Sequence, residues 1–110
     1  MNASQDVSPQ RVAELRRGRE AQLVDVREPY EHAAGRIAGA LHIELERLAA
    51  EAGSLDRERP IVFYCRTGAR STFAAQMFRG SGYDAYNLDG GLESWVAAGL
   101  PIEPDGGRVA

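Results

Sequence analysis

The chain contains one cysteine, and it lies in the stretch of sequence with the clearest chemical potential. That stretch reads Ile61-Val62-Phe63-Tyr64-Cys65-Arg66-Thr67-Gly68-Ala69-Arg70-Ser71. An apolar run followed by a short basic, glycine-containing segment predicts a thiol at the carboxyl end of a buried strand and at the start of a helix. Unpaired backbone N–H groups and the helix dipole favour negative charge there, so the sequence predicts a reactive cysteine nucleophile.

The residues after Cys65 have the composition of an anion-binding loop. Arg66 and Arg70 supply positive charge, and the backbone N–H groups of the segment can point inward as a nest. Gly68 allows a positive φ or a close approach to a bound anion. Thr67 and Ser71 add hydroxyl donors. The predicted substrate-binding loop consists of Arg66, Thr67, Gly68, Ala69, Arg70 and Ser71.

Each of these residues also has a purely structural interpretation. A lone cysteine is commonly an inert core residue. Arg66 could be a solvated surface charge, Arg70 could belong to a structural salt bridge, and Ser71 could cap the following helix. An inert cysteine does not require a glycine and two arginines within five residues of it, so this grouping favours the functional interpretation.

The spacing between Cys65 and Arg70 separates two kinds of chemistry. Four residues lie between them, and Ser71 stands one position further along the chain. Cysteine phosphatases use a loop one residue longer, which is wide enough for a tetrahedral phosphate. The shorter loop suits a sulfur atom carried on the cysteine better than a phosphoryl group. A phosphatase or an arsenate reductase on the related loop is the less favoured alternative.

Composition indicates a single soluble globular domain of 110 residues, with 44% hydrophobic and 26% charged residues. The net charge of −3 argues against nucleic-acid binding. One cysteine excludes an internal disulfide, and a free thiol favours the cytosol. Residues 1–6 lack the basic start and apolar core of a signal peptide, and no apolar run is long enough to span a membrane. We therefore expect a cytoplasmic protein with no membrane partner.

Strand and helix patterns alternate along the chain. Ser8 and Pro9 are typical of a helix start, and Gly18 is a plausible end of that helix. Strands are predicted at 23–26, 40–43, 61–64 and 85–88. Helices are predicted at 28–35, at 44–52, from the Cys65 loop to Gly80, and after Gly91. Phe73 and Ala74 are expected on the apolar face of the third of these helices, and Trp95 and Val96 on the apolar face of the fourth. This alternation favours an α/β fold with a largely parallel sheet.

Two further groups of polar residues lie near predicted strand ends. Asp25 and Arg27 end another strand and could brace the loop by hydrogen bonds and charge pairing, although a structural pair is the favoured interpretation. His32 and His42 are two isolated histidines without a third ligand nearby, which is weak evidence for a metal. We predict no metal site and no cofactor.

With these motifs in order, the chain resembles a single rhodanese homology domain from about Ser8 to Pro101. The Cys65 loop resembles the active-site loop of the family. The upstream segments at 23–31 and 35–40, and the downstream Leu88-Asp89-Gly90-Gly91, Trp95 and Gly99-Leu100-Pro101, resemble its flanking signatures. The resemblance implies a three-layer α/β/α fold around a mostly parallel five-stranded sheet. We expect the domain to span 5–103, with flexible termini at 1–4 and 104–110.

The resemblance also implies sulfane-sulfur transfer of the thiosulfate sulfurtransferase type. Cys65 would take sulfur from thiosulfate or from a protein or small-molecule persulfide, and would pass it to cyanide or a thiol. Arg70, with Arg66 as a second candidate, would orient the anionic donor. No second cysteine can resolve the persulfide, so the acceptor must be external. A non-enzymatic sulfur-carrier or regulatory module of the same family is the alternative.

Overall fold

A five-stranded sheet forms the centre of the structure, which is a computed structural model that describes residues 5–110. The strands are β1 (Asp6–Val7), β2 (Gln22–Asp25), β3 (Leu41–His42), β4 (Ile61–Tyr64) and β5 (Ala85–Leu88). Their spatial order is β1-β5-β4-β2-β3, and every neighbouring pair is parallel. The carboxyl ends of all five strands therefore meet at one edge of the sheet, where ligands bind in open α/β folds.

Helices cover both faces of this sheet. They are α1 (Pro9–Arg17), α2 (Pro29–Ala34), α3 (Leu48–Glu51), α4 (Ala69–Gly80) and α5 (Gly91–Ala97). Successive strand residues point to opposite faces. Val62 of β4 accordingly joins the core formed with α1 and α5, whereas Phe63 joins the core formed with α3 and α4. This arrangement confirms the predicted α/β fold with a parallel sheet between helical layers.

The boundaries of α1 follow from its end residues, as the sequence predicts. The Ser8 hydroxyl accepts a hydrogen bond from the Arg11 N–H (3.2 Å), which satisfies one of the helix's free donors. Pro9 occupies the first helical position, and Gly18 caps the carboxyl end. The predicted start and end of this helix are therefore confirmed.

Three details differ from the sequence-based prediction. β1 was not predicted, because two residues are too few to show a strand pattern. The helix expected at 44–52 is only the four residues of α3, flanked by 3₁₀ turns at Leu45–Arg47 and Ala52–Ser54. Phe73 and Val96 are 58% and 41% exposed, because the buried stripes of α4 and α5 pass through other positions.

The two predicted terminal segments lie at 1–4 and 104–110. Residues 1–4 lie outside the described range. After residue 103, the Arg108 N–H donates to the Ala34 carbonyl (2.9 Å), so part of this segment lies against α2. The domain limits of 5–103 stay a prediction. Within residues 5–110, none of the helices is long and apolar enough to cross a membrane.

Candidate active site

Cys65 follows directly on β4, and its thiol faces the amino end of α4. Gly68 caps that helix with a φ of 112°, in the left-handed region that glycine adopts without strain. This turn brings the Gly68 N–H within 3.0 Å of Cys65 Sγ, to which it donates. The cysteine as a whole is 1% exposed. The sulfur is therefore held inside a ring of backbone donors.

These donors control the ionisation of the thiol. Burial raises the pKa of Cys65, but hydrogen bonds from the Ser71 hydroxyl and from the backbone N–H groups of Ser71, Gly68 and Thr67 lower it more. The pKa of Cys65 consequently lies below its ordinary value. Because the thiolate is the nucleophilic form of cysteine, the loop increases the fraction of reactive sulfur near neutral pH.

The loop keeps its shape because α5 binds its carbonyl groups. The Leu92 N–H donates to the Cys65 carbonyl (2.8 Å), and the Glu93 N–H donates to the Arg66 carbonyl (3.1 Å). Gly91, with a φ of 68°, makes this approach possible, since a Cβ there would lie 2.5 Å from the Arg66 carbonyl oxygen. Turning the carbonyls outward to α5 leaves the N–H groups of the loop facing the sulfur.

Arg70 is held beside the thiol by a buried carboxylate of α2. Its guanidinium donates two hydrogen bonds to the Glu31 carboxylate, at 2.8 and 2.9 Å. The Glu31 side chain is 5% exposed, whereas that of Arg70 is 37% exposed. Glu31 raises the pKa of Arg70, and the charge of Cys65 raises it further. The salt bridge and the loop-facing position, which were alternatives from the sequence, thus occur together.

Asp25 and Arg27 form a fully buried pair that positions α2. The Arg27 guanidinium donates to both Asp25 carboxylate oxygens (2.9 and 2.7 Å) and to the Gly35 carbonyl (2.7 Å). His32 of α2 binds the same carboxylate through Nδ1 (2.8 Å). Burial raises the pKa of Asp25, but the bonds from Arg27 lower it more. The pair contacts the helix that carries Glu31, so it reaches the loop indirectly.

Ser71 lies between the thiol and a buried side chain of β5. Its hydroxyl oxygen is 3.3 Å from Cys65 Sγ and 2.6 Å from Asn87 Oδ1. The Asn87 amide nitrogen donates to Asp6 of β1 (3.0 Å), which leaves the amide oxygen facing Ser71. The Ser71 hydroxyl oxygen also lies 3.3 Å from the Gly68 carbonyl oxygen, so its single proton can be donated to the sulfur, to Asn87 or to Gly68, but only to one of them at a time.

The remaining predicted loop residues have different positions. Thr67 contributes its backbone N–H to the sulfur, and its side chain is exposed. Ala69 is the first residue of α4 and is exposed. Arg66 points to α5, where Nε pairs with the Glu93 carboxylate (3.0 Å) and both side chains are about half exposed. Of the two arginines, only Arg70 is placed beside Cys65.

The sequence-based prediction of the site missed two residues, Glu31 and Asn87. Each of the two has a feature in the sequence that could have indicated it. Asn87 is a polar residue in the otherwise apolar stretch that forms β5, and a buried polar side chain needs a hydrogen-bond partner. Glu31 stands three residues after Glu28, and the two form a capping box at the start of α2. That pattern predicts the helix start, but it does not reveal that the carboxylate binds Arg70.

Three carboxylates near the carboxyl ends of β2 and β3 could hold a cation. The carboxylate oxygens of Glu28, Glu44 and Glu46 lie within 4.8 Å of one another at the surface. A hydrogen bond with Glu46 raises the pKa of Glu44. His32 and His42 stack with their ring centroids 4.4 Å apart and bind Asp25 and a backbone carbonyl rather than each other. Exposed carboxylates of this kind occur commonly without an ion, and we assign no metal to them.

Comparisons with known proteins agree with this geometry. A family model described as a rhodanese-like domain matches residues 8–98. The chain is 39% identical over 106 residues to "Thiosulfate sulfurtransferase GlpE" of Pseudomonas aeruginosa, covering 96% of this chain and 94% of that protein. It is 40% identical over 86 residues to a protein named "Sulfurtransferase" of Allochromatium vinosum, covering 76% of this chain and 80% of that protein. The crystal structure of a rhodanese-related protein from Thermoplasma volcanium superposes with a TM-score of 0.84 at 26% identity, covering 91% of this chain and 98% of that one.

Proposed function

The chain belongs to the rhodanese-like domain family, and on that basis we propose that it is a sulfurtransferase that carries sulfane sulfur on Cys65. The observation that carries the proposal is the N–H ring around the sulfur. The Gly68 N–H donates to Sγ at 3.0 Å, and the pKa of Cys65 is lowered by the surrounding donors. The same donors would stabilise the negative charge of a bound persulfide.

The proposed reaction has two steps. The Cys65 thiolate attacks the outer sulfur of thiosulfate and forms a new S–S bond. The bond between the two sulfur atoms of thiosulfate breaks, and sulfite leaves with the electron pair. In the second step cyanide or an external thiolate attacks the outer sulfur of the Cys65 persulfide and regenerates the thiolate. The scheme is covalent catalysis in which the enzyme alternates between the free Cys65 thiolate and the Cys65 persulfide. The charges of both steps balance without a cofactor.

The burial of Cys65 favours a small donor. A residue that is 1% exposed is reached only by a slender group, such as the terminal sulfur of thiosulfate or of a persulfide. Arg70 is the partly exposed cation next to it, so it would bind the anionic end of the donor. Arg66, paired with Glu93 at the surface, would contribute only long-range attraction. A free thiol survives best in a reducing compartment, which we propose is the cytosol.

The loop favours sulfur transfer over phosphate ester hydrolysis. Four residues separate Cys65 from Arg70, one fewer than in the loop of the cysteine phosphatases. The shorter loop suits a single sulfur atom carried on Cys65 better than a tetrahedral phosphoryl group. The interval therefore disfavours a phosphatase.

Intact-mass measurement after incubation with thiosulfate tests the proposal. We expect a gain of one sulfur atom that a reducing agent removes, and no gain in Cys65→Ser. Turnover with cyanide then distinguishes an enzyme from a sulfur carrier, which would form the persulfide but release it only to a specific partner. Absence of the adduct together with hydrolysis of an aryl phosphate would overturn sulfur transfer in favour of phosphatase activity.

A further inference from the structure

A cavity lies at the opposite end of the sheet from Cys65. It has a volume of about 580 Å³ and is formed by the end of α1, the start of β2, the segment leading into β3 and the segment before β4. Cys65 follows the other end of β4, which is roughly 13 Å away for a strand of four residues. The cavity is therefore separate from the candidate active site, and its volume lies within the range of small-molecule sites, about 300–1,000 Å³.

Three arginines line this cavity without a counter-charge. They are Arg16, Arg19 and Arg59. Among residues 5–110, the ion pairs involve other arginines, and no carboxylate oxygen lies within 4.0 Å of these three guanidinium groups. The chain as a whole carries a net charge of −3, so the positive charge of this cavity is opposite in sign to the net charge of the protein. Like charges around one concavity repel each other, and a bound anion would relieve that repulsion.

Backbone contacts hold the side chains of two of these arginines, Arg16 and Arg59, in place. Arg16 donates through Nε to the Ala38 carbonyl (2.8 Å), and Arg59 donates through Nη2 to the Arg19 carbonyl (3.0 Å). Arg19 has a φ of 53°, a conformation that non-glycine residues adopt rarely. Each of these two contacts uses one nitrogen of the guanidinium. The remaining N–H groups are available to a ligand, and their positions are partly set before it binds.

The side chain of Gln22 fixes the segment that carries Arg59. Its amide nitrogen donates to the Asp56 carbonyl (2.9 Å), and its amide oxygen accepts from the Asp56 N–H (2.8 Å). These two hydrogen bonds connect the loop before β4 to the first residue of β2. The wall of the cavity that carries Arg59 is therefore anchored to the sheet rather than free to move away from the other two arginines.

Much of the rest of the lining is apolar, apart from the Gln22 side chain. Leu23 and Ala21 are buried in its floor, and Leu41 at its edge is 46% exposed. A large exposed leucine beside a group of cations fits a ligand with both an apolar part and an anionic part. A phosphate dianion offers three acceptor oxygens and about two charges to the arginines, whereas a carboxylate offers two oxygens and one charge.

We propose that this cavity binds a small phosphate ester, with the phosphate on Arg16, Arg19 and Arg59 and the apolar body against Leu41. This site is independent of the sulfur chemistry at Cys65. Its ligand would be a phosphorylated metabolite with a compact apolar or aromatic group rather than an extended polyanion, because the cavity is bounded by β2 and by the segment before β3.

Calorimetric titration with phenyl phosphate tests this proposal. We expect Arg16→Gln and Arg59→Gln each to raise Kd about tenfold or more, because each variant removes a charged hydrogen-bond donor from the phosphate. Arg17→Gln removes an exposed charge from the same helix outside the cavity and should leave Kd unchanged. The alkylation rate of Cys65 should be the same in all three variants. If Arg16→Gln fails to fold, Arg59→Gln and Arg19→Gln provide the same test.

Further arms of the titration identify the ligand chemistry. Inorganic phosphate should bind more weakly than phenyl phosphate, and benzoate more weakly still. Equal weakening in Arg17→Gln would reveal non-specific attraction and overturn the site. Loss of binding in Arg70→Gln would place the anion in the active-site loop instead. Absence of binding to wild-type protein, or benzoate binding as tightly as phenyl phosphate, would also contradict the proposal.

Discussion

Replacing Ser71 with alanine tests how the loop ionises Cys65. The Ser71 hydroxyl lies 2.6 Å from Asn87 Oδ1 and 3.3 Å from Cys65 Sγ, and it has one proton to donate. When the thiol is neutral, the nearer amide oxygen receives that proton. When the thiolate forms, the charged sulfur becomes the stronger acceptor, and the hydroxyl turns to it. Ser71 would thus stabilise the thiolate selectively.

The size of the effect follows from the two hydrogen bonds that compete. A bond to a charged group contributes about 1.5–3 kcal/mol, and a bond between neutral groups contributes about 0.5–1.5 kcal/mol. Ionisation exchanges the second kind for the first, so the net stabilisation of the thiolate is about 1.4 kcal/mol, a factor of about ten in the ionisation equilibrium. We expect Ser71→Ala to reduce the thiolate fraction at low pH about tenfold.

The pH dependence of alkylation by iodoacetamide measures this fraction. The midpoint should rise in Ser71→Ala, because loss of the donor raises the pKa of Cys65. It should remain unchanged in Thr67→Ala, since Thr67 contributes only its backbone N–H. In Asn87→Ala the nearest competing acceptor is removed and only the Gly68 carbonyl, 3.3 Å from the hydroxyl, still competes with the sulfur, so the midpoint should fall or stay constant. An unchanged midpoint in Ser71→Ala, or a rise in Asn87→Ala, would refute the reasoning.

Four other predictions concern the surroundings of the loop. Glu31→Gln should lower kcat/KM for thiosulfate about tenfold in a steady-state assay, because an amide holds Arg70 less firmly than a carboxylate that accepts two charged bonds. Gly91→Ala should lower activity and the melting temperature more than Gly99→Ala, since both glycines have positive φ but only a Cβ at Gly91 would meet loop backbone. Asp25→Asn should reduce the free energy of unfolding in urea by about 3–5 kcal/mol, because its arginine partner stays buried without a counter-charge. The lowered pKa values of Asp25 and Glu31 contribute stability above the unfolded carboxyl pKa of about 4, and acid titration followed by circular dichroism should show that stability lost as the pH falls through the folded values.

Much of the fold is readable from the sequence because its signals are local. The strand before Cys65 is a continuous apolar run, and Ser8 with Pro9 marks the start of α1. β1 left no comparable signal, because its two residues become a strand only by pairing with β5. The exposure of Phe73 also depends on tertiary structure, since the face of α4 that packs on the sheet is set by how the whole helix docks.

What the sequence by itself determined is the candidate nucleophile and its ring of donors. Cys65, Gly68 and Ser71 lie within seven consecutive residues, so the strand-to-helix turn alone brings N–H groups to the sulfur. Only the tertiary structure decided which partners hold that ring. Glu31 binds Arg70 across 39 residues of sequence, and Asn87 reaches Ser71 across 16. Such pairs depend on helix docking and on the register of β4 with β5, which arise from packing over the whole sheet rather than from neighbouring residues.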